Sequence, residues 1–262
     1  MGKLSRRKFI LGGLGVGLGG AGLWFGRNAI LRNLIPRFFS NDVSKATSAP
    51  AVGEDLCVLT AKQTEGPFFI ASPMRSDIRE DRKGKQLDLE LQVVDAEKCT
   101  PVEGAVVELW HCDAEGGYSG YPEEYAHDPF STMMYVGNGE THVEAVNEKR
   151  YLRGAQKTDA DGIAKFTTIV PGWYEPRAPH IHFKVLFEDK AQLASQFYLD
   201  PKFSDKVFMS TEPYSKFGAS PYTIANDPVV HNYPDASGLV LNPDWSVDGP
   251  LSVSARIGIR RV

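Results

Sequence analysis

Paired cysteines and long apolar runs are what this 262-residue chain has least of. Its three cysteines, Cys57, Cys99 and Cys112, show none of the close pairing of a structural zinc site, so a zinc-stapled fold is excluded. Three thiols permit one disulfide and one free thiol. Cys57 and Cys99 lie outside the strong strand patterns and are the expected pair; Cys112 ends a strand pattern and is expected to be buried. No long stripe of helical period runs through the chain, and no internal repeat appears. The apolar stretch Leu11–Phe25 is shorter than the roughly 20 residues a membrane-spanning helix needs.

The net charge of −4 hides an asymmetry. Residues 1–50 hold eight of the 29 Lys and Arg but one of the 33 Asp and Glu, so residues 51–262 carry 21 basic against 32 acidic groups, a net of −11. A body that acidic repels phosphate backbones, which excludes nucleic acid as the expected partner. The basic end has a pattern of its own. Ser5-Arg6-Arg7-Lys8-Phe9-Ile10 precedes a weakly apolar, glycine-rich segment, and this resembles a twin-arginine export signal. The expected location is therefore outside the cytoplasm: periplasmic, membrane-anchored or secreted. Candidate cleavage positions at Ala46–Ala51 leave open whether the segment is removed.

Beyond Ala51 the dominant period is two. Leu87-Asp88-Leu89-Glu90-Leu91-Gln92-Val93 alternates as a half-buried strand does, and Ala105–Cys112, Ile163–Val170, His180–Phe187, Ser195–Leu199 and Leu251–Ile259 have strand character. Turn signals at Thr100–Gly104 and Asp159–Gly162 separate some of them. Several short strands punctuated by Gly, Pro and Asp predict an all-β sandwich or barrel. Two irregular stretches, about 119–150 and 200–245, are too long for connectors and suit lids or pocket walls.

Two segments carry chemistry. In Pro171-Gly172-Trp173-Tyr174-Glu175-Pro176-Arg177-Ala178-Pro179-His180-Ile181-His182-Phe183, the histidines fall two apart on a strand, on one face and about 7 Å apart along the chain. They are free to converge on a metal. In Val107-Glu108-Leu109-Trp110-His111-Cys112-Asp113-Ala114-Glu115-Gly116-Gly117-Tyr118-Ser119, a strand ends at a Gly-Gly turn and presents Tyr118.

Together these segments resemble the intradiol ring-cleavage dioxygenases, the family of catechol and protocatechuate dioxygenases, and in particular its exported, twin-arginine members. The similarity rests on the order of Thr64-Glu65-Gly66-Pro67-Phe68-Phe69, the Trp110–Ser119 segment, Pro171–Phe183 and Leu193-Ala194-Ser195-Gln196. The resemblance implies a β-sandwich of mainly antiparallel strands, with long irregular loops forming the active-site cleft. It implies an export signal or anchor with linker over residues 1–50 and one catalytic domain over 51–262. It further implies one non-haem Fe(III) per chain, held by Tyr118, Tyr174, His180 and His182. Phenolate is a hard anionic donor that favours ferric iron, and imidazole suits iron as well.

By the same resemblance Arg177 stabilises negative charge on a bound catechol, Gln196 sits beside that arginine, and Tyr174 is the ligand that leaves and takes a substrate proton. The implied partners are a small catechol-type substrate, O2 and the twin-arginine export machinery; homo-oligomerisation stays open. The implied product is a cis,cis-muconate-type dicarboxylic acid. Only five residues separate Tyr174 from His180, fewer than in many relatives, so Tyr151 stands as the fallback ligand. Two other readings compete. A cupin-like Fe(II) or Mn(II) enzyme would use His180, His182 and Glu188 with His231, and a transthyretin-like binding module would use no metal. His111, His127 and His142 are expected in supporting or surface positions, with His111 closest in sequence to Tyr118.

Overall fold

The computed structural model describes residues 57–122, 142–230, 237–243 and 249–261. The export-signal region, His127 and His231 lie outside the described residues.

Among the described residues nine strands form two sheets. The first is built on β1 (Gln86–Asp95), whose Leu87, Leu89, Leu91 and Val93 all point inward and are buried. One edge of β1 pairs antiparallel with β5 (Ile163–Ile169), Leu89 opposite Phe166, and then with the short β2 (Thr100–Pro101). Its other edge pairs in parallel with β9 (Leu251–Ile259) from Leu87 to Asp95. The second sheet runs in the order β4 (Arg153–Lys157), β3 (Val106–Trp110), β6 (His180–Phe187), β7 (Lys190–Leu199) and β8 (Val240–Leu241). Antiparallel pairs dominate, and the β1–β9 and β7–β8 pairs make both sheets mixed. The all-β sandwich expected from the two-residue period is what forms.

The inner faces meet in one core. It includes Leu87, Leu89 and Phe166 from the first sheet and Val107, Leu109, Ile181, Phe183, Val185 and Phe197 from the second. Along β6, Ile181, Phe183 and Val185 take the inner face, so His180, His182 and Lys184 take the outer one. That outer face is not left to water where the histidines stand. A second apolar cluster of Phe68, Trp110, Cys112, Tyr118, Tyr121, Val143 and Tyr174 lies apart from the main core, and Tyr118, Tyr174 and Trp110 of that cluster are in ring contact with the histidines.

The strand readings hold to within two residues at most ends, and the Asp159 turn forms as its residues suggest. The Asp159 carboxylate accepts from the amides of Asp161 and Ile163 at 3.0 and 2.8 Å. Several elements differ from the sequence reading, among them β2 in the Thr100–Gly104 turn signal and β8 in the irregular stretch 200–245. β4 was not recognised, because Arg-Gly-Ala-Gln-Lys has neither alternation nor β-branched residues. The stretch 200–245 contains a helix, α1 (Pro201–Ser210). Asp200 caps it by accepting from the amides of Lys202 and Phe203, Pro201 opens it, and Phe203, Val207 and Phe208 are buried. Three turns carry too little apolar periodicity to stand out from irregular sequence.

Cys57 and Cys99 form a disulfide across a separation of 42 residues, as their positions outside the strand patterns suggest, and Cys112 is a buried free thiol. Closing a loop of that length restricts the unfolded chain by about 4 kcal/mol on the chain-entropy scale. The Cys57→Ser/Cys99→Ser double variant is therefore expected to lose stability of that order in urea titration. A loss below about 1 kcal/mol would contradict an entropic role for the bridge.

Candidate metal centre

The two histidines are set by strand geometry and held by their surroundings. The His180 Nδ1 lies 2.6 Å from the Ala178 carbonyl, which can only accept. That nitrogen therefore carries the proton, and the Nε2 lone pair faces the cluster. His182 stacks on Trp110 with ring centroids 5.0 Å apart and planes 6° apart, and its Nε2 lies 3.0 Å from that of His180. Both imidazoles are pushed well below their usual range, first by burial and then by the nearby Arg177. They are neutral lone-pair donors at physiological pH.

The tyrosines arrive from two loops that touch backbone to backbone. The Asp113 carboxylate accepts from the amides of Glu115 and Gly117, both at 3.0 Å, which folds the turn after β3 and presents Tyr118. Gly172 donates its amide to the Asp113 carbonyl at 3.0 Å. A Cβ on Gly172 would lie 2.5 Å from the Ala114 carbonyl oxygen, and one on Gly116 would lie 2.7 Å from that of Trp173. Only side chains of one hydrogen allow this approach. The result places the Tyr118 and Tyr174 rings 5.6 Å apart and edge-on. Their hydroxyls lie 3.4 and 3.3 Å from the His180 Nε2.

All four side chains are thus buried and aimed at one point. Burial pushes the Tyr174 phenol up to about 12, with Arg177 working in the opposite direction, and burial then Tyr174 push Tyr118 well above the usual phenol range. Without a cation both phenols stay protonated at neutral pH, and a multiply charged cation would reverse that. Donor atoms 3.0 to 3.4 Å from the His180 Nε2 are spaced as expected around an ion with bonds of about 2 Å. Among the described residues no group of three or more His, Cys, Asp or Glu gathers to rival this set. The donor chemistry fits a hard trivalent metal.

Arg177 stands beside the histidines, its Nη1 3.4 Å from the His180 Nε2. Burial is the largest single influence and opposes the charge, but Asp227, Tyr174 and Tyr198 together raise it above the usual guanidinium range. The Arg177 Nε donates to the Asp227 carboxylate at 2.8 Å, with both side chains almost wholly buried. Asp227 also accepts from the amides of Ala178, Val229 and Val230 at 2.8, 2.8 and 3.0 Å. Gln196 sits opposite His182 in the β6–β7 register. Its carbonyl oxygen accepts from the Arg177 Nη2, while its amide nitrogen donates to the Thr64 carbonyl at 2.9 Å. The segment preceding Phe68 is thereby tied to the arginine.

Tyr118, Tyr174, Arg177, His180, His182 and Gln196 all come together, and other sequence candidates do not join them. Tyr151 packs in the main core with the Arg82 guanidinium 4.4 Å above its ring. Glu188 is exposed at the β6–β7 turn, six residues and about 20 Å along the strand from His182, so the cupin-like triad does not form. The His111 ring bonds the Cys112 carbonyl and the Thr168 hydroxyl, both at 2.7 Å, and takes a supporting role. His142 pairs with Glu65 at 3.1 Å. Sequence reasoning missed Asp227. The only local signal was an acidic residue before proline, and its partner lies 50 residues away.

Residues 65–251 match the family model described as Dioxygenase, and the chain belongs to that dioxygenase family. It is 27% identical over 165 residues to catechol 1,2-dioxygenase 1 of Acinetobacter lwoffii, covering 54% of this chain and 46% of that protein. It is 26% identical over 185 residues to a catechol 1,2-dioxygenase of Pseudomonas sp. (strain EST1001), covering 66% and 58%. The chain thus spans about half the length of the curated relatives it matches. Among solved structures, an intradiol ring-cleavage dioxygenase from Tetranychus urticae aligns with a TM-score of 0.66 at 29% identity, covering 77% of this chain and 94% of that one.

Two outcomes are expected from these contacts. Asp227→Ala leaves the Arg177 charge buried and unmatched, and should cost about 3–5 kcal/mol of stability in chemical denaturation. Burial first, and then the nearby Arg153 charge, hold the His111 pKa down at about 4, against 6.5 in the unfolded chain. Between those values the unfolded state binds the proton and the folded state does not. The stability this histidine supports is thus complete above pH 6.5 and lost as pH falls to about 4. His111→Gln keeps both hydrogen-bonding roles and should flatten that window relative to the parent in melts at pH 7, 5.5 and 4.

Proposed function

We propose that this chain is an intradiol ring-cleavage dioxygenase that holds one non-haem Fe(III). In this reading it opens a catechol-type ring with O2 between the two hydroxylated carbons, giving a cis,cis-muconate-type dicarboxylic acid. The observation that carries the reading is the meeting of two buried phenols and two neutral imidazoles within 3.4 Å of the His180 Nε2 or at that atom itself. Membership of the dioxygenase family supports it. Tyr118, Tyr174, His180 and His182 are the assigned ligands. When bound, the ferric ion supplies a Lewis-acidic centre that orients the diol and draws electron density from it towards O2.

The protein's own groups do the rest. Tyr174 is the ligand assigned to proton transfer: its phenol oxygen would take up a substrate proton and keep it in a site that favours the neutral form. Arg177, fixed by Asp227 and Gln196, places a guanidinium beside His180 where negative charge on the diol would develop. The cluster of Phe68, Tyr121 and Val143 covers the donors and excludes water. Export by the twin-arginine route, to the periplasm, a membrane anchor or the medium, belongs to the same proposal. The Cys57–Cys99 disulfide supports an oxidising compartment.

Oxygen uptake over a panel of substituted catechols is the direct test, with a diacid expected as product. The resting protein should be red-brown and show the paramagnetic resonance of high-spin ferric iron. Tyr174→Phe should shift that colour and slow ring opening by about 100-fold or more. Iron-replete protein with no visible colour would contradict the two-tyrosine assignment.

A further inference from the structure

The Arg177 guanidinium is gripped on two sides and open on the third. Its Nε donates to Asp227 at 2.8 Å. Its Nη2 reaches two acceptors, the Gln196 amide oxygen and, at 3.5 Å, the Tyr198 hydroxyl. Nη1 is left facing the donor cluster, 3.4 Å from the His180 Nε2. A guanidinium is a rigid plane, so fixing two of its nitrogens fixes where the third points. Asp227 holds one side of that plane. The other side depends on how Gln196 and Tyr198 are themselves held.

Tyr198 stands opposite His180 in the β6–β7 register, two residues along from Gln196, and has no exposed surface. Its single phenolic proton has two amide oxygens in reach, that of Gln63 at 3.0 Å and that of Gln196 at 3.2 Å. Spent on the nearer one, the proton leaves the lone pairs of the Tyr198 oxygen for the Arg177 Nη2. Gln63 therefore sets the direction of this hydroxyl. It is pinned to the same strand: the Gln63 amide donates to the Ala194 carbonyl at 2.8 Å, and the next residue, Thr64, accepts from the Gln196 side chain at 2.9 Å. Gln63 gains little for itself. Its side chain is buried and, among the described residues, its Nε2 has no acceptor. A buried unmatched donor is a cost that an apolar side chain of similar length avoids.

We propose that Tyr198 and Gln63 are positioning residues for Arg177: the pair fixes the Nη2 end of the guanidinium so that Nη1 meets the bound diol. This rests on the catechol-cleaving reading of the site. The Tyr198 ring also lies 6.1 Å from that of His180, centre to centre, and phenylalanine keeps that ring while removing the hydroxyl alone.

The test compares Tyr198→Phe and Gln63→Met with the parent, each as the iron-loaded full chain, and repeats both changes in an Arg177→Lys background. Lysine keeps the charge and loses the fork. Tyr198→Phe should lower kcat about 10-fold and change KM less than about threefold, because a misaimed charge fails the transition state more than the bound diol. Gln63→Met should lower kcat about 5-fold yet melt at or above the parent, since the unmatched donor has gone. Neither change should lower kcat further once Arg177 is lysine, whereas a merely structural role costs the same in both backgrounds. One readout needs neither metal nor turnover. In metal-free protein carrying isotope-labelled arginine, the Arg177 Nη protons should give separate nuclear magnetic resonance signals in the parent and merge in Tyr198→Phe. If Tyr198→Phe fails to fold, Gln63→Met takes its place in each comparison. A ring-opening parent overturns this inference, and keeps the dioxygenase reading, if kcat in either variant stays within about twofold of it. Losses undiminished in the Arg177→Lys background, or Arg177 signals that stay separate, overturn it equally. A parent that takes up no O2 with any catechol overturns the reading and this inference with it.

Discussion

Everything in the site depends on a conflict between burial and charge. Four side chains that could be anionic or cationic in water are brought to one point under an apolar cover. There the phenols hold their protons and the imidazoles refuse theirs. Left so, the cluster is a set of polar groups pressed together with little to satisfy them, and in the proposed reading a cation of high charge would turn that cost into binding energy. The fold creates the conflict in a simple way. The β6 strand buries one face in the sandwich, and the loops after β3 and before β6 bury the other.

The positive groups around the cluster follow the same logic. Arg177 is held by a carboxylate that four donors stabilise, so its charge is fixed whether or not a ligand is present. Among the described residues Arg153 has no ion pair and donates to the Ser119 hydroxyl and carbonyl. Gln196 links this arrangement to the amino-terminal flank through Thr64. This gives the Thr64–Phe69 segment a physical role: it braces the arginine and covers the histidines.

Much of this was legible before any coordinates. The two-residue spacing of His180 and His182 states their common face, and the alternation in Leu87–Val93 states the sandwich. Tyr118 and Tyr174 were legible only through family resemblance, because nothing local marks a tyrosine as a ligand. Asp227 and Arg153 escaped notice for a different reason. Their roles come from partners 50 and 34 residues distant, and such pairings are decided by loop packing and strand register. The helix Pro201–Ser210 was readable in hindsight from its Asp-Pro start, but its apolar face is too short to stand out. The carboxylate of Glu188 shows the converse: even spacing along a strand assigns a face, not a distance, and the turn carried it away from the site.

The central claim is that one metal ion sits among four named donor atoms. A crystal structure of the iron-loaded protein, with anomalous data collected on both sides of the iron absorption edge, addresses it directly. The expected result is one iron peak per chain, about 2 Å from the Oη atoms of Tyr118 and Tyr174 and the Nε2 atoms of His180 and His182. An iron peak elsewhere, or one that leaves either tyrosine out of bonding range, would contradict the account.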